Sequence, residues 1–363
     1  MTVRPYPTQP DQLTPEWLTI ALRNAGVLGD ANVTGLTTTP VGEGIGMLGV
    51  IARAELTYDR ETEAPASVVA KFATPIEGNR AIAMAFRMYE REITFYRRIA
   101  PTVGVAAPMS YAGEVDPDSG DCVLLMEDLS GYDTGDQVVG CTAEEAMVII
   151  DAVVPLHAEF FNNIDSRLEG VPRMDGETQI AGISGACAVG WDPCMQMFGD
   201  GVAQEIKDVK EQFVAAVPEL HRMLCRGDVS AIHGDLRLDN LMFGQPGQRP
   251  VVLLDWSLAI STPLQDVAYL ISQNVQLEER RAHEQKLIEH YHSRLVELGA
   301  EDYSLVQCWH DYEKAVLYLF SYAVVIAGTL DPSNDRGAAF MKELVSRSSA
   351  TVMDHDLLRL LPS

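Results

Sequence analysis

Positive charge is scarce in this sequence: 27 Lys and Arg stand against 52 Asp and Glu in 363 residues, a net charge of −25. That argues against a nucleic-acid partner, because holding a polyanion depends on Lys and Arg releasing its counterions. The acidic balance is compatible with cationic ligands or a divalent metal, and equally with plain solubility. The start, Met1-Thr-Val-Arg-Pro-Tyr-Pro7, has no apolar stretch of the kind a secretory signal carries. The longest apolar run, Ala315 to Leu330, contains Tyr318, Ser321 and Tyr322 and falls short of the roughly 20 residues a membrane span needs. It is therefore read as a buried helix, with no membrane partner. The six cysteines show no C-x-x-C pair and no framework spacing, as expected of reduced thiols in a cytoplasmic protein. No internal repeat or low-complexity tract occurs. What remains is ordinary globular material, 47% hydrophobic and 22% charged, enough for one very large domain or two of about 100–200 residues.

The two halves of the chain differ in pattern. Up to residue 127 the sequence reads mainly as strands: Asn32 to Val41, Val50 to Tyr58, Ser67 to Phe72, Pro108 to Glu114 and Cys122 to Glu127. One helix interrupts them, with Phe86, Tyr89, Ile93 and Tyr96 recurring on one face of a 3.6 period. The rest is mainly helical. Thr142-Ala-Glu-Glu145 reads as a capping box opening a helix towards Phe160, with Pro155 predicting a kink or a late break. Residues 263–274, 278–298, 302–329 and 334–350 read as further helices around a short β island at 241–243 and 251–254. The stretch 162–200, rich in Gly, Met and Cys, is expected to be irregular and lid-like.

The sharpest chemical signal is Ile232-His-Gly-Asp-Leu-Arg-Leu-Asp-Asn240, followed by Val251-Val-Leu-Leu-Asp-Trp256. Asp235 and Asn240 are five apart, and Asp255 follows fifteen later at the end of an apolar strand. Phosphoryl transfer needs such a set: one carboxylate facing the attacking hydroxyl, and a carboxylate with an amide oxygen holding Mg²⁺ on the phosphates. Any one of these residues could equally be a turn residue bonding its own backbone. The whole constellation is hard to account for that way, and its spacing matches a kinase catalytic loop followed by a metal-binding Asp.

These motifs, with Pro263-Leu-Gln-Asp-Val-Ala268 and Leu124-Leu-Met-Glu-Asp-Leu129, resemble the aminoglycoside-phosphotransferase-like small-molecule kinases, and most closely their ecdysteroid-kinase-like branch. Glu92-Ile-Thr-Phe-Tyr96 and Gly135-Asp-Gln-Val138 add weaker support, and the matching stretches run from about residue 40 to about 270. The resemblance implies an α+β, bilobal protein-kinase-like fold, with a small β-rich N-terminal lobe carrying one main helix and a larger, mostly helical C-terminal lobe. The lobes are expected at 1–127 and 128–363, with a hinge at about 127–131. ATP and Mg²⁺ are the implied cofactors, gripped where the lobes meet, and the implied partner is a small-molecule hydroxyl substrate.

Site residues follow from the same resemblance. Gly44, Gly46 and Gly49 fit a G-x-G-x-x-G loop closing over phosphates, although a glycine-rich hairpin has the same pattern. No helix opens directly after it, which argues against a dinucleotide fingerprint. Lys71, at the end of an apolar run, resembles the third-strand lysine that pairs phosphates. Its partner is expected to be Glu92, which lies nearer the apolar stripe than Glu90. Glu127 and Leu129 belong to the inter-lobe segment whose backbone would read the adenine edge. Asp235 would accept or orient the substrate's hydroxyl proton, Asn240 and Asp255 would hold the metal, and His233 would support the loop. Asp266 resembles the family's downstream Asp that bonds the catalytic loop from below, or caps a helix.

A protein-kinase reading is disfavoured. Trp256-Ser257 stands where Phe-Gly would follow the metal-binding Asp, and no Ala-Pro-Glu triplet comes after it. The expected activity is thus ATP-dependent phosphorylation of a small-molecule hydroxyl. Trp191, Met195, Met197 and Phe198 hint at a neutral or lipophilic acceptor. The alternatives are an aminoglycoside or choline-like amino-alcohol, or a catalytically idle, pseudokinase-like nucleotide-binding module. The sequence says nothing of oligomeric state.

Overall fold

In the computed structural model, which describes residues 6–42, 49–331 and 334–362, the chain divides into two units. One comprises residues 1–102 and 107–132, the other residues 103–106 and 133–363.

The first unit is built on an antiparallel sheet in the order β1-β2-β3-β5-β4. Its elements are α1 (Pro15–Asn24), β1 (Val33–Val41), β2 (Gly49–Tyr58), β3 (Ser67–Ala73), α2 (Glu77–Ala85), α3 (Met88–Thr94), β4 (Ser110–Val115) and β5 (Cys122–Glu127). Side chains alternate faces along a strand, and that decides where each part of β3 goes. Val68, Ala70 and Phe72 join Leu18 and Leu22 of α1 in one core. Val69 and Lys71 therefore point to the opposite face, where α3 lies.

Sequence periodicity implies one helix here; among the described residues the unit has three α-helices. Thr14 caps α1 by accepting the Trp17 N–H at 3.2 Å, with Pro15 at the first helical position. The expected helix from Phe86 is divided at Arg87, which sits in left-handed backbone at φ 54° and separates α2 from α3. The helix then continues from α3 as one π turn, Phe95–Ile99. Tyr89, Ile93 and Tyr96 are buried as their spacing predicts.

The second unit holds β6 (Asp133–Thr134), α4 (Ala143–Glu159), α5 (Glu177–Phe198), α6 (Gln204–Asp208), α7 (Lys210–Leu224), β7 (Ser230–Ile232), β8 (Leu241–Phe243), β9 (Val251–Leu253), β10 (Ala259–Ser261), α8 (Leu264–Gln273), α9 (Leu277–Glu297), α10 (Leu305–Thr329) and α11 (Asp335–Asp354). Two small antiparallel sheets, β6-β8-β9 and β7-β10, lie among these helices. The capping box forms as read: Thr142 Oγ1 accepts the Glu145 N–H, and the Glu145 carboxylate accepts the Thr142 N–H at 2.8 Å. Pro155 sits in the last turn of α4, which ends at Glu159.

The stretch expected to be irregular is corrected by α5, a helix of 22 residues. Its buried side chains include Cys187, Gly190, Trp191 and Cys194, whose offsets of three, four and seven are those of one helical face. The Trp191 ring packs 5.5 Å from Phe213 of α7 and 6.2 Å from Phe320 of α10. It is core, so it lines no acceptor site. All six cysteines are free thiols, and no described helix is long and apolar enough to cross a membrane.

Candidate active site

The strand β7 delivers His233, Gly234 and Asp235 into a loop, and a 3-10 turn at Leu238–Asn240 carries the chain into β8. Gly234 has φ +84°, and a Cβ there would meet the Ser257 carbonyl oxygen at 2.2 Å. Only glycine fits. From below, Asp266 in the first turn of α8, 1% exposed, gathers the loop. Its Oδ2 accepts the His233 N–H at 2.6 Å and its Oδ1 accepts the Gly234 N–H at 2.9 Å. His157 Nε2 of α4 lies 3.1 Å from the same Oδ2, and His157 Nδ1 lies 3.1 Å from Tyr291 Oη of α9. Three helices thus fix two peptide groups.

His233 is fully buried against the Trp256 ring, 4.4 Å away. Its Nε2–H donates to the Leu254 carbonyl at 2.9 Å, which leaves Nδ1 to accept the Asp235 N–H at 3.2 Å. Burial pushes its pKa down, so the ring is neutral with both nitrogens committed. It has no lone pair left for a base.

The Asp235 side chain is 21% exposed. Asn240 Nδ2 donates to Asp235 Oδ2 at 2.8 Å and to the Asp235 carbonyl at 3.0 Å, so Asn240 keeps its amide oxygen for another partner. The Asn240 carbonyl accepts the Leu254 N–H at 2.9 Å, which ties the end of β9 to the loop. The next residue, Asp255, is held in left-handed backbone at φ 56°. Its charge acts on both His233 and Arg237. The structure thus brings together Asp235, Asn240 and Asp255. Two carboxylates and an amide oxygen are hard donors, the kind a small divalent cation takes while sharing its remaining positions with phosphate and water. Among the described residues no group of three or more His, Cys, Asp and Glu forms a self-contained metal cage.

In the first unit, Lys71 Nζ lies 2.9 Å from Glu92 Oε1, with the two side chains only 16% and 11% exposed. Glu90 instead pairs with Arg87 at 2.6 Å. Gly49, which opens β2, packs beside the lysine: a Cβ there would stand 3.4 Å from Lys71 Cε and 3.1 Å from the Phe72 carbonyl oxygen. Gly44 and Gly46 lie in 43–48, outside the described residues. Glu127 ends β5, its N–H donating to the Met109 carbonyl and its Oε2 accepting the Met109 N–H at 3.0 Å. Leu129 is buried, and its carbonyl accepts the Tyr132 N–H.

Sequence reasoning passed over three residues at this site. Arg237, two places after Asp235 within the quoted motif, reaches Asp235 Oδ2 at 3.3 Å and Asp239 Oδ2 at 3.1 Å. Its guanidinium sits 5.7 Å over the Phe340 ring of α11. Burial opposes its charge, but Asp235, Asp239 and Asp255 more than offset that, and its pKa is raised. Arg336 of α11 grips Asp239 from the other side at 3.0 Å. Tyr269, one helical turn beyond Asp266, is 2% exposed, with its ring 6.0 Å from that of Tyr322. Arg237 and Tyr269 stand in or directly beside the quoted motifs, which carried their signal; Arg336, about a hundred residues downstream, left none.

The profile of the ecdysteroid kinase-like family matches residues 43–301, more than two thirds of the chain. The chain belongs to the ecdysteroid kinase-like family. No curated protein matches this kinase-like chain in sequence. Among solved structures it is similar to a choline kinase from Cryptosporidium parvum, at 11% identity and TM-score 0.54 over 94% of this chain and 97% of that one. It is similar also to a Plasmodium vivax ethanolamine kinase, at 12% identity and TM-score 0.51 over 89% and 83%. An aminoglycoside 2″-phosphotransferase of type IIIa in complex with GDP and kanamycin matches at 15% identity and TM-score 0.53 over 93% and 99%. At these identities the likeness establishes the fold: this ecdysteroid kinase-like protein has the α+β, protein-kinase-like architecture. Family and fold together make it a small-molecule kinase.

Proposed function

We propose that the protein transfers the γ-phosphoryl group of ATP to a hydroxyl of a neutral or lipophilic small molecule. The observation that carries this reading is the contact of Asn240 Nδ2 with Asp235 Oδ2 at 2.8 Å. It holds the carboxylate in one orientation and turns the amide oxygen away from it, so base and metal ligand are set by one hydrogen bond. Asp235 accepts the proton as the acceptor oxygen bonds to the γ-phosphorus, the bond from that phosphorus to the bridging oxygen breaks, and ADP leaves. Mg²⁺, held by Asn240 and Asp255, would neutralise charge on the phosphates. Lys71, directed by Glu92, would pair the α- and β-phosphates, with Gly44, Gly46 and Gly49 closing over them and the backbone at Glu127 and Leu129 reading the base. Positioning and charge neutralisation supply most of the acceleration in such a reaction.

The neutral acceptor is favoured by membership of the ecdysteroid kinase-like family, whose name is that of an uncharged polyhydroxylated steroid. The test is a phosphate-transfer screen over sterols, hydroxy acids, macrolides, aminoglycosides and amino-alcohols, read by gain of phosphate mass on the acceptor. Transfer to a sterol or another uncharged alcohol, with kcat lowered about 10²–10⁴-fold in Asp235→Asn, is the expected result. ATP binding without transfer to any acceptor would mark an idle nucleotide-binding module instead.

A further inference from the structure

The hydroxyl of Tyr269 makes no hydrogen bond of good geometry among the described residues, although the side chain is 2% exposed; the acceptor it faces is the Asp235 side chain. Buried polar groups are almost always paired, because an unmade bond leaves the full desolvation cost standing. Packing of the Tyr269 ring against Tyr322, 6.0 Å away, accounts for an aromatic residue here but not for its hydroxyl. Phenylalanine would fill the same space without the penalty.

Its position supplies a reason. Tyr269 lies three residues after Asp266 on α8, one turn along the face that already holds His233 and Gly234. The charge that acts most strongly on it is that of Asp235, followed by Tyr322 and Arg237. Asp235 itself is held by Asn240 at 2.8 Å and, more loosely, by Arg237 at 3.3 Å, both through Oδ2. Catalytic hydrogen bonds are often long or open in the free enzyme and close in the complex with substrates.

We propose that Tyr269 is a positioning residue for Asp235: when substrates bind, its hydroxyl donates to the carboxylate and fixes the oxygen that takes the acceptor's proton. The bond moves no proton and changes no charge; it adds a third donor to a carboxylate whose contacts with Asn240 and Arg237 both fall on Oδ2. Burial and the neighbouring carboxylate push the phenol's pKa well up, so it remains a donor throughout the working range.

This inference rests on the kinase reading above, and the experiment separates the two. Wild type, Asp235→Asn, Tyr269→Phe and Tyr269→Leu are compared for ATP turnover, with water alone and with ecdysone as acceptor, and for melting temperature without ligands. The proposal expects Tyr269→Phe to lower kcat about 10–100-fold, to leave the KM for ATP within about twofold, and to melt no lower than wild type. A packing role would show the reverse: Tyr269→Phe indistinguishable from wild type in kcat, and Tyr269→Leu losing stability and activity together. If Asp235→Asn abolishes turnover while Tyr269→Phe keeps wild-type kcat, the proposal falls and the kinase reading stands. If wild type turns over ATP neither with water nor with any acceptor of the screen above, both fall.

Discussion

Asp266 Oδ1 accepts the backbone N–H of Gly234 at 2.9 Å, so a carboxylate on the first turn of α8 sets the peptide that precedes Asp235. The same side chain also meets His233 N and His157 Nε2. Removing it strands two buried amides and an imidazole at once. Asp266→Ala is expected to lose about 3–5 kcal/mol, as for a broken buried pair, with phosphate transfer lost in parallel. Urea unfolding followed by intrinsic tryptophan fluorescence measures this; wild-type stability would show the hub to be dispensable.

Gly234→Ala asks for a Cβ 2.2 Å from the Ser257 carbonyl oxygen, at φ +84°. The backbone preference alone costs about 1–2 kcal/mol, and the loop must also shift away from Ser257. A steady-state assay should show kcat falling more than stability does, since the displaced residue precedes Asp235. A variant with unaltered turnover would mean the loop tolerates the shift.

Lys71→Met removes the cation beside Glu92 and leaves that carboxylate, 11% exposed, without its lysine. If Lys71 pairs the phosphates as proposed, loss of that preorganised charge lowers transfer about 10²–10³-fold. Glu92→Gln, which keeps a hydrogen-bond acceptor for the lysine, should fall less. Equal losses in the two variants would argue that the pair is structural.

The C-terminal part carries a separate acid-sensitive clasp. Burial works to raise the Glu284 carboxyl, but His355, Tyr312 and Arg280 more than offset it and hold it below the usual range. His355 Nε2 lies 2.8 Å and Arg280 3.0 Å from Glu284 Oε2, Tyr312 donates to the other oxygen, and Arg280 also reaches Asp354. A depressed carboxyl contributes stability that is present above its unfolded pKa, near 4.5, and lost as pH falls through the lower folded value. Glu284→Gln should therefore be less stable than wild type at pH 7, by about 3 kcal/mol, with the gap closing below pH ~4. Thermal melts across that range test it; a gap independent of pH would assign the loss to packing.

Much of this was legible in the sequence because the signals are local. Thr142 and Glu145 state a helix start within four residues, and His233 to Asn240 with Asp255 states a reaction within twenty-three. Lys71 and Glu92 were readable because strand alternation and helical spacing each expose one face. The helix α5 was missed because its buried stripe is made of Cys187, Gly190, Trp191 and Cys194, three of them small and none a typical aliphatic core residue. The division at Arg87 was hidden because left-handed backbone at an arginine has no compositional sign. Arg237 and Tyr269 stood in or beside quoted motifs, yet their roles depend on Phe340, Arg336 and Tyr322, which only the folded chain brings near.

The hold exerted by α11 has a bearing on how the protein is made. Arg347 donates to the Gln137 and Val138 carbonyls at 2.7 and 2.9 Å, and Arg336 grips Asp239, which accepts the Gln137 N–H. A nascent chain emerging from the ribosome has every member of its reactive loop long before it has either guanidinium. Until translation is nearly complete the loop lacks its final fastening, and a message cut short before Arg336 yields a polypeptide with the chemistry encoded but not assembled.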